Sequence, residues 1–158
     1  MRIATLPLIL SLVAALASAA DDGKTITVTQ KSFSDIYPAV WFSPSTGEVS
    51  PLKTKTEAPP AKQYEIWIEP RDPEFALMGK EGGFALLGKG EKAFRNPTLP
   101  AAPKLDAKLT HLMRDMKPGD KPVFYCKARN STCLIMVVAL DKQEQVLVFK
   151  WRPLTKPE

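Results

Sequence analysis

Four stretches of the chain carry residue types that do chemistry elsewhere: the acids of YEIWIEPRDPEF, the single histidine His111, the cysteines of VFYCKARNSTCLIMVV and the glycines of GFALLGKG. Each is defined by spacing, so each can be weighed before any fold is considered.

YEIWIE alternates, which sets Tyr64, Ile66 and Ile68 on one face of a strand and Glu65, Trp67 and Glu69 on the other. Glu65 and Glu69 are four residues apart, about 13 Å along a strand. The carboxylates of an inverting glycosidase stand ~6.5–9.5 Å apart, so this pair is too wide and a solvated acidic face is expected. Asp72 and Glu74 fall in a proline-bounded turn whose spacing matches no EF-hand calcium loop. Trp67 differs, because an aromatic between acids can stack on a sugar ring or anchor a partner. Trp67, Glu65 and Glu69 are therefore the candidate binding residues. The plainer expectation for Trp67 is that a proline-rich loop covers it.

His111 lies on KLDAKLTHLMRDMKPG, where Leu105, Leu109, Leu112, Met113 and Met116 recur at helical period. Its position is roughly opposite that stripe, so it should face water, with Asp115 one turn on. With no second histidine or cysteine nearby it lacks the partners of a metal site, and although a general base is possible in principle, an exposed histidine on a polar helix face is expected to be plain surface.

Cys126 and Cys133 flank Arg129-Asn130, and asparagine tolerates the left-handed backbone that tight hairpin turns require. A turn there sets the two cysteines directly opposite each other and predicts a disulfide. Strand twist would have to close a cross-strand Cβ gap of about 4.5–5.5 Å to the ~3.8 Å that a bridge prefers. Six residues separate the pair rather than the C-x-x-C of redox motifs, and two thiolates do not complete a zinc shell. Asn130-Ser131-Thr132 also reads as an N-glycosylation sequon.

In GFALLGKG, Gly83, Gly88 and Lys89 have the spacing of a phosphate-binding loop, but Gly90 stands where that loop needs a hydroxyl. The intervening Phe84 to Leu87 are apolar, and no helix start is read after them. The phrase FALMGK recurs nine residues later as FALLGK. Two copies are too few for a solenoid. They read as matched strand edges, a hairpin joined by Gly79-Lys80-Glu81-Gly82-Gly83. No nucleophile elbow, Ser/His/Asp arrangement or dinucleotide fingerprint occurs. The chain is therefore expected to be non-enzymatic, with no metal and no cofactor.

The elements that must position these residues begin after residue 20. Residues 1–20 read as a secretory signal peptide: Arg2, an apolar run from Ile3 to Ala17, then Ala17-Ser18-Ala19 as a small-x-small cleavage pattern. That run is about 15 residues, short of the roughly 20 a bilayer span needs. No membrane span is expected once the leader is removed. Residues 21–158 fit one domain. Its two cysteines would then meet an oxidising compartment, secreted or periplasmic. Without the leader the net charge is about +4 (21 Lys and Arg against 17 Asp and Glu) and dispersed, and nucleic acid would need a denser basic face.

Strands are expected at TITVTQ, at AVWFSPSTGEVSPL as a hairpin turning at Ser43 to Gly47, and at YEIWIEP. Three more close the chain: PVFYCKA, TCLIMVVAL and QVLVFKWR. The middle one is apolar at every position from Cys133 to Leu140, so it should lie centrally and be covered on both faces. The expected fold is mostly β (β-rich α+β): an antiparallel sheet, small sandwich or partly open barrel, with one amphipathic helix over about 104–117 packed on it. The expected function is an exported binding or structural domain of the cell envelope or extracellular space, engaging a protein or a polysaccharide. Its alternatives are a secreted carboxylate-dependent, carbohydrate-active enzyme using Glu65, Glu69, Asp72 and Glu74, and a secreted hydrolase inhibitor presenting the Gly79 to Gly83 turn.

Overall fold

A computed structural model describes residues 23–34, 37–54, 58–70, 74–77, 82–109, 117 and 119–154. The expected leader, His111, Asp72 and most of the Gly79 to Gly83 turn lie outside them. Among the described residues, nine strands form two antiparallel sheets. In chain order they are β1 Lys24–Val28, β2 Val40–Phe42, β3 Val49–Pro51, β4 Ile66–Glu69, β5 Glu74–Leu77, β6 Gly83–Lys89, β7 Pro122–Lys127, β8 Thr132–Asp141 and β9 Val146–Pro153. Sheet A has the order β1-β9-β8-β7-β6, and sheet B the order β3-β2-β4-β5. The β-rich α+β fold is the one expected, as two facing sheets and not a closed barrel.

The main core lies between the sheets. Period-2 alternation sends Ile26, Phe124, Ile135 and Phe149 of sheet A and Phe42, Ile66, Ile68 and Phe75 of sheet B into one cluster. Aromatic edges pin the sheets together: Phe149 meets Phe42 at 5.3 Å and Phe75 at 5.4 Å between ring centroids, both near perpendicular. Such pairs contribute ~0.5–1.5 kcal/mol each beyond their buried area.

The apolar run of β8 is explained by its place. It lies at the centre of sheet A, with Cys133, Ile135 and Val137 in the main core and Leu134 and Met136 in a second cluster on the outer face. A short helix, α1 Gly90–Arg95, covers that outer face through Phe94. Arg152 of β9 fixes it, stacking on the Phe94 ring at 5.7 Å and donating from Nη2 to the carbonyls of Phe94 and Arg95 at 3.0 and 3.2 Å. A cation at those last carbonyls complements the helix dipole.

Two expectations are corrected here. The FALMGK and FALLGK copies do not form a hairpin. β5 pairs with β4 at the end of sheet B, and β6 pairs with β7 at the end of sheet A. Alternation fixed the inward face of each copy, since Phe75 and Phe84 are both fully buried, but it does not choose the partner strand. Gly82 makes the crossing between sheets: its φ is +119°, and a Cβ there would collide with the Lys127 carbonyl.

Residues 104–108, expected to begin the helix, are not helical. Asp106 bridges Phe84 and Lys108 bridges Ala76, so the segment is an extended strap joining the edges of both sheets. Asp106 holds its bend by accepting the Lys108 N–H on Oδ1 at 2.9 Å. An Asx turn of this kind competes with helix. Helical backbone begins at the buried Leu109, and residues 110–116 of the expected helix lie outside the described ones.

Candidate binding cleft and the Glu65–Trp67–Glu69 strand

The three candidate residues are carried by β4 and the residue before it, yet they serve different neighbourhoods. Glu65 is 6% exposed. Its Oε1 accepts from the Asn130 N–H at 3.1 Å and from Asn130 Nδ2 at 3.2 Å, and Oε2 accepts from Ser131 Oγ at 3.3 Å. Glu69 is 8% exposed and accepts from the Tyr37 hydroxyl at 3.4 Å. The expected solvated acidic face is therefore corrected: both carboxylates are buried and hydrogen-bonded, as buried charge requires. The competing protein donors come from segments remote in sequence, which alternation within YEIWIE does not reveal.

Trp67 is half-buried on the outer face of sheet B. It stands in register with Trp41, with Tyr37 at 6.4 Å between ring centroids and tilted by 40°. Ala39, Leu52 and Tyr64 complete this cluster. Trp41 is 1% exposed, and its indole N–H has no hydrogen-bond partner among the described residues. The three candidates thus do not converge on one ligand-sized space. The side chains of Asp72 and Glu74 lie outside the described set.

GFALLGK lies inside β6 and pairs along β7 from Gly83 to Lys89. Its backbone serves a sheet ladder instead of cradling an anion. The helix start that the sequence did not show is nonetheless there, as α1 follows directly. Lys89 pairs with Asp120 at 2.7 Å, and that hydrogen bond holds the Asp120 carboxyl below its ordinary range.

Cys126 and Cys133 are opposite each other in the β7–β8 register, as the turn geometry predicted. The disulfide is not formed: the cysteines stand 4.1 Å apart as buried thiols. Directly opposed residues of an antiparallel ladder keep their Cβ atoms wider than a bridge prefers. Burial, followed by the hydrogen bond with Cys133, pushes the Cys126 thiol well above its ordinary pKa. Among the described residues, no three His, Cys, Asp or Glu side chains gather as metal ligands.

The sheets have two seams, and the two differ. At one, the Leu105 to Lys108 strap spans β6 and β5. The Phe84 N–H donates to the Asp106 carbonyl at 2.7 Å, and the Asp106 N–H returns to Phe84 at 2.8 Å. At the other, the end strands β1 and β3 have no ladder partner on their outer edges among the described residues. A cleft of about 430 Å³ opens there, lined by Lys24 to Thr27, Gly47 to Val49 and Tyr64.

The turn that forms one wall is tied down by buried hydrogen bonds. Ser43 Oγ is fully buried and accepts the Thr46 N–H at 3.2 Å and the Thr46 hydroxyl at 2.9 Å. Trp151 donates its indole N–H to the Pro44 carbonyl at 3.0 Å. Gly47 has φ +69°, and a Cβ on it would lie 2.6 Å from the Trp151 ring. Lys24 reaches across the cleft and donates to the Gly47 carbonyl at 3.2 Å. Sequence reasoning missed this cleft because nothing in KTITV or EVSP marks a strand as the end of a sheet. Comparisons of the chain with protein families, with curated proteins and with solved structures find no match.

Proposed function

We propose that the chain is an exported, non-enzymatic binding domain of the envelope or extracellular space, and that it engages its target through the seam between β1 and β3. The observation that carries this reading is the asymmetry of the two seams. Among the described residues, the chain closes one with its own strap and leaves the other as a walled cleft between two unpaired strand edges. Exposed edges invite pairing and are normally blunted or covered, so a retained one is a natural contact surface. The leader pattern supports export. Glu65 and Glu69 serve the fold through the Asn130 turn and Tyr37, which argues against this pair as a catalytic acid and base.

The test is affinity capture by the processed chain from envelope and culture-fluid fractions, set beside a Thr27→Trp variant that fills the cleft. The reading expects a component retained at native salt and lost with Thr27→Trp, whereas Trp67→Ala retains it. Failure to retain any component, or equal retention by the filled variant, counts against it.

A further inference from the structure

We propose that the open seam takes an extended acidic peptide segment as an added strand, hydrogen-bonded along β1. This deepens the binding reading above and rests on it. The molecule itself shows that a seam between these sheets accepts a strand, since the strap around Asp106 exchanges both main-chain hydrogen bonds with Phe84 while bridging Ala76 on the facing sheet. Strand addition works in this way, with the main chain giving affinity and alternate side chains giving selectivity.

The β1 edge suits such a guest. Lys24–Val28 pairs with β9 in unbroken register, with no proline and no bulge to turn a partner away. It offers about 13 Å of edge by the rise per residue. Ile26 and Val28 are buried and keep the strand flat on the core, while Thr25 and Thr27 are exposed. The opposite wall ends at Pro51, which cannot donate to a ladder, so the pairing falls to β1.

Charge selects among guests. The processed chain, without Arg2, carries about +4 (21 Lys and Arg against 17 Asp and Glu), and Lys24 stands at the mouth, donating to the Gly47 carbonyl. Glu48, the acid of the lining, accepts from Gln63 Nε2 at 3.3 Å on Oε2. Lys24 lies on the pairing strand itself, whereas Glu48 stands on the opposite wall with Oε2 directed to Gln63, so acidic side chains along an incoming strand beside β1 meet the ammonium first.

The experiment is an amide-resolved NMR titration of the processed chain with the synthetic peptide acetyl-Thr-Glu-Val-Thr-Val-Glu-Thr-amide. Two control peptides accompany it, one N-methylated at alternate residues and one with lysine in place of glutamate. A soluble polysaccharide fraction from the envelope is the third comparison. We expect shifts confined to Lys24–Val28 and to 47–51, with at least tenfold weaker binding for the N-methylated and the lysine peptides. Thr27→Trp should also weaken binding at least tenfold while the β7, β8 and β9 resonances keep their positions. Shifts elsewhere, equal binding by the N-methylated peptide, or a seam that responds to polysaccharide and not to the acidic peptide would overturn strand addition. None of those results touches the broader binding reading, which stands or falls on capture that Thr27→Trp abolishes.

Discussion

Glu65 and Asn130 are 65 residues apart in sequence and joined by two hydrogen bonds to one carboxylate oxygen, from the Asn130 main-chain N–H at 3.1 Å and from its side chain at 3.2 Å. With Ser131 on the second oxygen, this acid ties sheet B to the tip of the β7–β8 hairpin. Glu65 thus organises a turn of the facing sheet.

Removing that tie should destabilise the fold. Glu65→Ala leaves the turn donors without their charged acceptor. Charge-assisted bonds of this kind are each worth ~1.5–3 kcal/mol, but Asn130 is exposed, so we expect a net loss of about 2 kcal/mol. For a chain of this size that corresponds to a fall of roughly 6 °C in Tm, read by calorimetry. Asn130→Ala, which keeps the main-chain donor, should cost less than half as much. Equal stabilities of Glu65→Ala and the unmodified chain would contradict the tie.

Gly47→Ala should be among the more damaging single-methyl additions. It forces a side chain onto a φ of +69° and drives a methyl to 2.6 Å from the Trp151 ring. Backbone strain and overpacking together cost about 3 kcal/mol. Chemical denaturation should show the midpoint falling with little change in slope. Trp151→Phe, which relieves the crowding but orphans the Pro44 carbonyl, should recover part of the loss when combined with Gly47→Ala.

The thiol pair should be silent in the native protein. Nucleophilic attack needs thiolate, and burial of Cys126 disfavours it. Maleimide labelling followed by intact-mass measurement should add nothing to the folded chain and two labels in denaturant. Labelling of the folded chain at the rate of a free peptide thiol would contradict this placement.

Much of this architecture was legible in the sequence because alternation reports a strand's own two faces. TITVT, the Ser43 to Gly47 hairpin, IWIE and the three closing strands appear where the pattern put them, but Tyr64 precedes β4 and packs with Trp67 instead of with Ile66 and Ile68. The centrality of β8 followed from its lack of a polar face. Pairing across long separations was not legible. The two FAL copies present the same inward phenylalanine to one core from different sheets. Helical spacing of Leu105 and Leu109 concealed a strap whose Asp106 and Lys108 serve edge bridges. Of the candidate site, Trp67 was placed on the outer face, but the burial of Glu65 and Glu69 depends on Asn130, Ser131 and Tyr37. No local pattern in YEIWIE points to those residues.

Acid should weaken the anchoring of α1. Lys150 of β9 donates to Glu91 Oε1 at 2.8 Å, and that hydrogen bond holds the Glu91 carboxyl below its ordinary 4.5. A carboxyl depressed in the folded state contributes its stability above the unfolded value and loses it as pH falls through the folded one. The contribution is therefore full above about pH 4.5 and lost below it. The pair is partly solvated, so screening limits it to about 0.5 kcal/mol. Glu91→Gln should flatten the stability profile between pH 5 and pH 3 by about that amount, measured by urea denaturation. An unchanged slope would contradict the pairing.

The openness of the β1–β3 seam is tested most directly by amide hydrogen exchange on the free processed chain. The account predicts protected amides at Phe84 and Asp106, where the strap closes its seam, and at the β1 amides directed to β9. The β1 amides facing the cleft should exchange faster by orders of magnitude. Uniform protection along Lys24–Val28, matching that of Phe84, would show this seam already paired and would contradict the account.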